Sequence, residues 1–259
     1  MSESFSLKVF RYPDAERFLS KLNAEIEKHS GHFRENVQLS RDGRENGGWQ
    51  RVSTWFGESG TAAVFLPYFS GLEYRIFHQV AKDLKFPWLE ARVQIGSLWY
   101  YSLYDCNGEA IDKFSTCRQV WDQGETDEAE MHRWQGNADT LAKTLAIPVA
   151  PFERYLVNWG YVKLSSSTFE YAHKGNKAYE TDKASYGEWR QIFDFLRSIG
   201  VEDPQFDGPN SRHHAIFIPQ DRRRPPIRVY ARAIQNKIAS KVNLWLRMAK
   251  RTWYHLVGR

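Results

Sequence analysis

The sequence predicts an α+β fold: a mainly antiparallel sheet packed by helices, a helical C-terminal half, and a long basic amphipathic C-terminal helix. Short alternating runs rich in β-branched and aromatic residues, separated by glycine-containing turns, occupy the first 117 residues. Interleaved with them and following them, apolar residues recur at three- and four-residue spacing, the period of a helix with one buried face. At 259 residues, 42% hydrophobic and 15% aromatic, the chain can bury a sizeable core, which excludes disordered, collagen-like and disulfide-scaffold classes.

Residues 5–10 alternate weakly and read as an edge strand. Pro13-Asp14 opens a helical pattern in which Phe18, Leu19, Leu22 and Ile26 share a face, with Ser30-Gly31 as its stop. Residues 37–39 suggest a short strand, and 41–48 a turn-rich loop. Residues 49–56 and 61–66 read as two strands joined across the glycines at 57 and 60. Leu72, Ile76, Phe77, Val80 and Leu84 mark a second helix, ended by Pro87. Residues 92–95 suggest a further strand. Asn107-Gly108 then gives the strongest hairpin signal in the chain, since this dipeptide favours a two-residue type I′ turn. That register sets Leu103 opposite Asp112 and Cys117 opposite Leu98. Cys106 and Cys117 are therefore expected to remain free thiols.

After the hairpin, residues 122–130 are acidic and suit a solvated loop and helix start. Helices are expected at 137–147, capped by Asn137 or Asp139, at 151–160 after Pro151, and at 186–199 before Gly200. Residues 165–183 look like loop. The resulting organisation is a body of residues 1–200, sheet-rich to 117 and helix-rich from 118, a linker at 201–225 and a basic helix at 226–259.

The modest net charge of +5 hides an uneven distribution. Residues 208–259 hold twelve basic groups against the single acid Asp221, or +11, whereas residues 1–207 hold 24 basic and 30 acidic groups, or −6. In the final helix Ile234, Ile238, Val242, Trp245, Ala249, Trp253 and Leu256 form an apolar stripe, with Arg228, Arg232, Arg247, Lys250 and Arg251 largely opposite. Lys237 and Lys241 flank the stripe, and Arg222, Arg223 and Arg224 precede it. These ten cations form a candidate anion-binding set for nucleic acid or an anionic membrane surface.

No His-Glu-x-x-His, paired-cysteine, Walker A, Rossmann or Gly-x-Ser-x-Gly pattern is present, so no metal or cofactor is expected. His213-His214, with Asp207 and Arg212, is the strongest catalytic suggestion, for a hydrolase acting on a phosphodiester, although adjacent rings on a strand point to opposite faces. Asp105 and Asp112 beside the hairpin turn could serve as acid and base, but carboxylates there more often solubilise the hairpin end. Cys117 reads as a small buried residue rather than the nucleophile of a Cys–His pair with His132. No leader-like segment or membrane-spanning run is seen, which points to the cytoplasm.

Residues 97–157 carry an ordered block: Trp99-Tyr-Tyr-Ser-Leu-Tyr-Asp105, Gly108-Glu-Ala-Ile-Asp-Lys-Phe-Ser115, Trp134-Gln-Gly-Asn137 and Leu141-Ala142. The block resembles one in uncharacterised bacterial cytoplasmic proteins. That resemblance implies a partner-binding module of the immunity-protein kind and implies no activity. The expected function is therefore a non-enzymatic interaction protein that binds a protein partner through its body. Anion binding through residues 208–259 is the alternative, and a hydrolase near His213 and His214 the third reading.

Overall fold

The computed structural model describes residues 5–30, 32–35, 49–66, 72–94, 98–120, 127–164, 169–202 and 211–217. Ten strands and five α-helices are formed in them: β1 (Phe5–Arg11), α1 (Ala15–Ser30), β2 (His32–Glu35), β3 (Trp49–Phe56), β4 (Thr61–Phe65), α2 (Leu72–Leu84), β5 (Trp88–Gln94), β6 (Leu98–Tyr104), β7 (Ala110–Ser115), α3 (Glu128–Arg133), α4 (Ala138–Leu145), β8 (Tyr161–Lys163), β9 (Phe169–Tyr171), α5 (Gln191–Ser198) and β10 (Ser211–Phe217). Eight strands make one antiparallel sheet in the order β2-β10-β3-β4-β1-β5-β6-β7, and β8 and β9 form a separate two-stranded ribbon. The α+β class is thus the observed one.

β1 lies inside the sheet, between β4 and β5, rather than at an edge. Its alternation is weak because both faces are buried: Leu7 and Val9 enter one core, Phe10 enters the other, and even Lys8 is fully enclosed. Residues 201–225, expected as a linker, contain β10, which pairs with β2 on one side and β3 on the other. The first compact unit accordingly runs to Ile218, and the second unit, Pro219–Arg259, lies outside the described residues. The expected strand at 37–39 and the basic helix at 226–259 also fall outside them.

The two faces of the sheet are covered differently. On one, α1 and α2 pack over Phe10, Val52, Ala62, Val64 and Trp88. Phe18, Leu22 and Ile26 of α1 and Ile76, Phe77 and Val80 of α2 are all nearly inaccessible, as the helical spacing requires. The Phe10 ring has its centre 4.5 Å from that of Phe18, 4.7 Å from Phe86 and 5.4 Å from Phe77.

On the other face Leu7, Val9, Leu89, Ala91, Trp99, Tyr101, Leu103 and Phe114 meet α4, α5 and the turns between them. This layer contains less helix than its apolar spacing predicts. Residues 151–160 make only one 3₁₀ turn, Glu153–Tyr155. Trp159 N–H then turns back to the Thr116 carbonyl at 2.7 Å, and Gly160 takes a left-handed φ of +74°. Likewise α5 starts at Gln191, because Tyr186 N–H donates to the Asn176 carbonyl at 2.7 Å and the preceding turn stays irregular.

Side-chain acceptors hold these turns in place. The Asp194 carboxylate accepts from the main-chain N–H groups of Lys183 at 3.0 Å and Ala184 at 2.8 Å. Gln191, fully buried, accepts at its side-chain oxygen from the indole N–H groups of both Trp99 and Trp159, each at 3.3 Å. Arg11 donates to the carbonyls of Ser59 and Ala146, joining the β3–β4 turn to the end of α4. Asn137 is the cap of α4, its side-chain oxygen accepting from Thr140 N–H at 2.8 Å.

Candidate interaction site around Trp134

Helices α1 and α2 cover the apolar part of their face of the sheet. Along β5, β6 and β7 the same face turns polar. Strand alternation with the observed register places Glu90 beside Ser102, Arg92 beside Tyr100, and Lys113 beside Ser102 on it. Ser6 and Lys8 of β1 adjoin them, Lys8 pairing in register with Glu90.

At the inner end, Lys8 is wholly buried and its ammonium lies 3.1 Å from the Glu90 carboxylate and 2.8 Å from the Ser6 hydroxyl. Glu90 also accepts from Ser6 at 2.8 Å and from Arg92 at 2.7 Å. Burial alone would push the Glu90 pKa up, but the adjacent Lys8 and Arg92 charges hold it below the ordinary carboxylate value. Burial also works against the charge on Arg92; Glu90 and Tyr100 outweigh it and raise the guanidinium pKa. One anion thus anchors two cations, one sealed inside and one, Arg92, a third exposed.

At the outer end stands Trp134. Asp127 caps α3, accepting from Glu130 N–H at 2.7 Å, and the helix ends at Arg133. The chain then joins β7: Ser115 N–H donates to the Trp134 carbonyl at 3.0 Å, and Gln135 bridges to Phe114. Gly136 follows at φ +74°, where a Cβ would stand 2.9 Å from the Tyr101 hydroxyl, so this tight passage requires glycine. The Trp134 indole N–H donates to Glu130 at 3.0 Å, fixing the ring. The Lys113 ammonium lies 5.4 Å and the Arg118 guanidinium 5.1 Å from the ring centre. Tyr100 meets it edge-on at 6.2 Å, with 73° between the rings. Arg118 also pairs with Glu130 at 3.3 Å. The outcome is a half-buried row: Arg92, Tyr100 and Lys113 on β5, β6 and β7, with Trp134 and Arg118 laid against them.

The sequence motifs fare unequally. The hairpin register sets Leu103 opposite Asp112, as expected, but the turn differs. Asp105 N–H donates to the Glu109 carbonyl at 3.0 Å, leaving a loop of Cys106, Asn107 and Gly108, with Gly108 at φ +83°. The cause is the Asp105 carboxylate, which accepts from the N–H groups of Asn107 and Glu109, both at 2.9 Å. A register shift between Leu103 and Tyr104 absorbs the extra loop residue. Asp112 is engaged differently, accepting from the Tyr101 hydroxyl at 2.7 Å and Asn137 N–H at 3.0 Å. Both carboxylates thus organise the backbone around the hairpin.

Cys106 and Cys117 are free thiols, and burial pushes the Cys117 thiol up to about 11, away from nucleophilic character. His213 and His214 occupy successive positions of β10, in register with Ser53 and Val52. Arg222, Arg223, Arg224, Arg228, Arg232, Lys237, Lys241, Arg247, Lys250 and Arg251 all lie outside the described residues. Among the described residues no three His, Cys, Asp or Glu side chains are grouped to hold a metal ion, and no helix is long and apolar enough to cross a membrane.

Lys8, Glu90 and Arg92 were not singled out as a site from the sequence. Their signal is a polar residue at each same-face position of neighbouring strands, which appears only once β1 is known to lie beside β5. The chain matches no protein-family model, no curated protein and no solved structure.

Proposed function

We propose that the protein is a non-enzymatic interaction module that docks a protein partner on the polar sheet face around Trp134. The carrying observation is the half-buried Trp–Tyr–Arg row, held at fixed positions by β5–β7 and the α3 cap. Trp, Tyr and Arg dominate the energetics of protein interfaces because they offer large, stiff contact area and directed charge. A cytoplasmic setting agrees with two free thiols.

The test compares capture of partners by the wild-type chain and by Trp134→Ala and Lys113→Glu, with thermal melting as the control for folding. A stable partner retained by the wild type should bind at least about thirtyfold more weakly to Trp134→Ala. A partner held equally by all three chains would sink the assignment to this face, and no stable partner at all would sink the function.

The charge division of the sequence favours a second reading, an anion-binding role for the segment beginning at Arg222. Replacing Arg222, Arg223 and Arg224 by Gln should weaken binding to nucleic acid and flatten its salt dependence. Binding to anionic vesicles but not to nucleic acid would instead select the membrane form of this reading.

A further inference from the structure

A cleft of about 430 Å³ opens in the layer on the other face of the sheet, away from Trp134. Its lining includes Tyr155, Tyr179, Asp182, Lys183, Asp194 and Arg197. The two carboxylates have different surroundings. Asp194 is neutralised by Arg197 at 2.7 Å and uses its other oxygen on the main chain. Asp182, only 7% exposed, accepts from the Tyr155 hydroxyl at 2.5 Å and the Tyr179 N–H at 2.9 Å, both neutral donors. Among the described residues no cation pairs with the Asp182 carboxylate; Lys177 donates to the Asp182 main-chain carbonyl instead, at 2.7 Å.

A carboxylate ordered by neutral donors at the wall of a cleft has spare lone pairs for an incoming donor. Lys183 and Arg197 stand on the Asp194 side of the lining, whereas the tyrosine side suits a cation. The Tyr155 and Tyr179 rings lie 5.3 Å apart, and Arg154 already covers Tyr179 at 5.3 Å, so that ring accepts cationic company.

We propose that this cleft binds an organic cation, a guanidinium or primary ammonium group, with Asp182 as its counter-ion and Tyr155 and Tyr179 as its walls. The shared chemistry has two sources, a free small amine or an arginine side chain presented by another protein. A planar guanidinium has the donor geometry to bridge the spare lone pairs of Asp182 while stacking on a phenol ring.

The full chain would be titrated with agmatine, with acetyl-Gly-Arg-Gly-amide and with the matching citrulline peptide, following the main-chain amide signals of Tyr179, Lys183 and Asp194. Saturable shifts of these amides with a guanidinium probe, and at least about tenfold weaker binding of the citrulline peptide, are expected. Agmatine binding alone would identify a free amine as the ligand, and peptide binding an arginine side chain. Asp182→Asn keeps one oxygen acceptor for the Tyr179 N–H, and its amide nitrogen can donate to the Tyr155 hydroxyl; the variant should lose about tenfold in affinity. Should that variant fold poorly, Thr181→Trp at the exposed rim fills the cleft without touching its carboxylates and should block binding. No saturable shift, equal binding of citrulline, or unchanged binding in both variants would overturn the proposal.

Discussion

The two faces of the central sheet are built on different principles. Under α1 and α2 the core follows helical periodicity: one apolar stripe per helix and a cluster of phenylalanines, with the Lys21–Asp83 ion pair joining the helices. Under the described residues of 135–164 and 169–201 the core is equally buried, yet the chain crossing it is mostly turns, fixed by Asp112, Asp182, Asp194 and Gln191. A sheet face can be sealed without long helices where side-chain acceptors satisfy the main-chain N–H groups that helices would otherwise consume.

Variants on each face should fail in different ways. Phe10→Ala removes the ring at the centre of the aromatic cluster and is expected to cost about 3–5 kcal/mol in denaturant unfolding, with one cooperative transition. A loss under about 1 kcal/mol would show that the helix face does not depend on that cluster. Asp194→Ala is expected to cost about 2–3 kcal/mol, since two main-chain donors and Arg197 lose a charged acceptor. Hydrogen exchange should accelerate at residues 182–190 while the amides of α1 stay protected; uniform acceleration would mean that the two layers are energetically one.

Smaller changes sharpen the same contrast. Asn137→Ala removes the α4 cap and should lower stability by about 1 kcal/mol, recovered in large part by Asn137→Ser. The smallest effect is a slope. Burial raises the Asp112 pKa above its ordinary value, despite the bonds from Asn137 and Tyr101 that favour the anion. The folded chain then binds a proton more readily than the unfolded one, so this group's contribution falls as pH rises from the ordinary aspartate value through the folded one. Asp112→Asn should remove that segment of the stability–pH curve; an unchanged curve would show that Asp112 titrates normally.

The same contrast explains what the sequence discloses. α1, α2 and the β6–β7 hairpin are legible because their signals are local: helical spacing, a glycine turn and alternation, whereas β5 starts four residues before the strand expected at 92–95. The short helices at 151–160 and 186–199 were overread because buried Phe152, Tyr155 and Trp159 repeat at helical intervals although the chain bends between them. Nothing local announces that Trp159 will bond to Thr116, or that Asp194 will hold Lys183. The candidate site is not legible as a site in the sequence. Trp134 carries no local signal of its cationic neighbours, and Lys8, Glu90 and Arg92 come together only through the pairing of β1 with β5.

The position of β10 bears on how the chain is made. Among the described residues β2 pairs with β10 alone, and β3 has β10 along its outer side, so both ladders wait for residues 211–217 to be synthesised. A nascent chain that has released β1 to β7 presents β3 as an open edge, the form of backbone that recruits strands from other chains. Truncations placed before residue 211 recreate that intermediate permanently and should aggregate, whereas those placed after Ile218 leave the first unit whole.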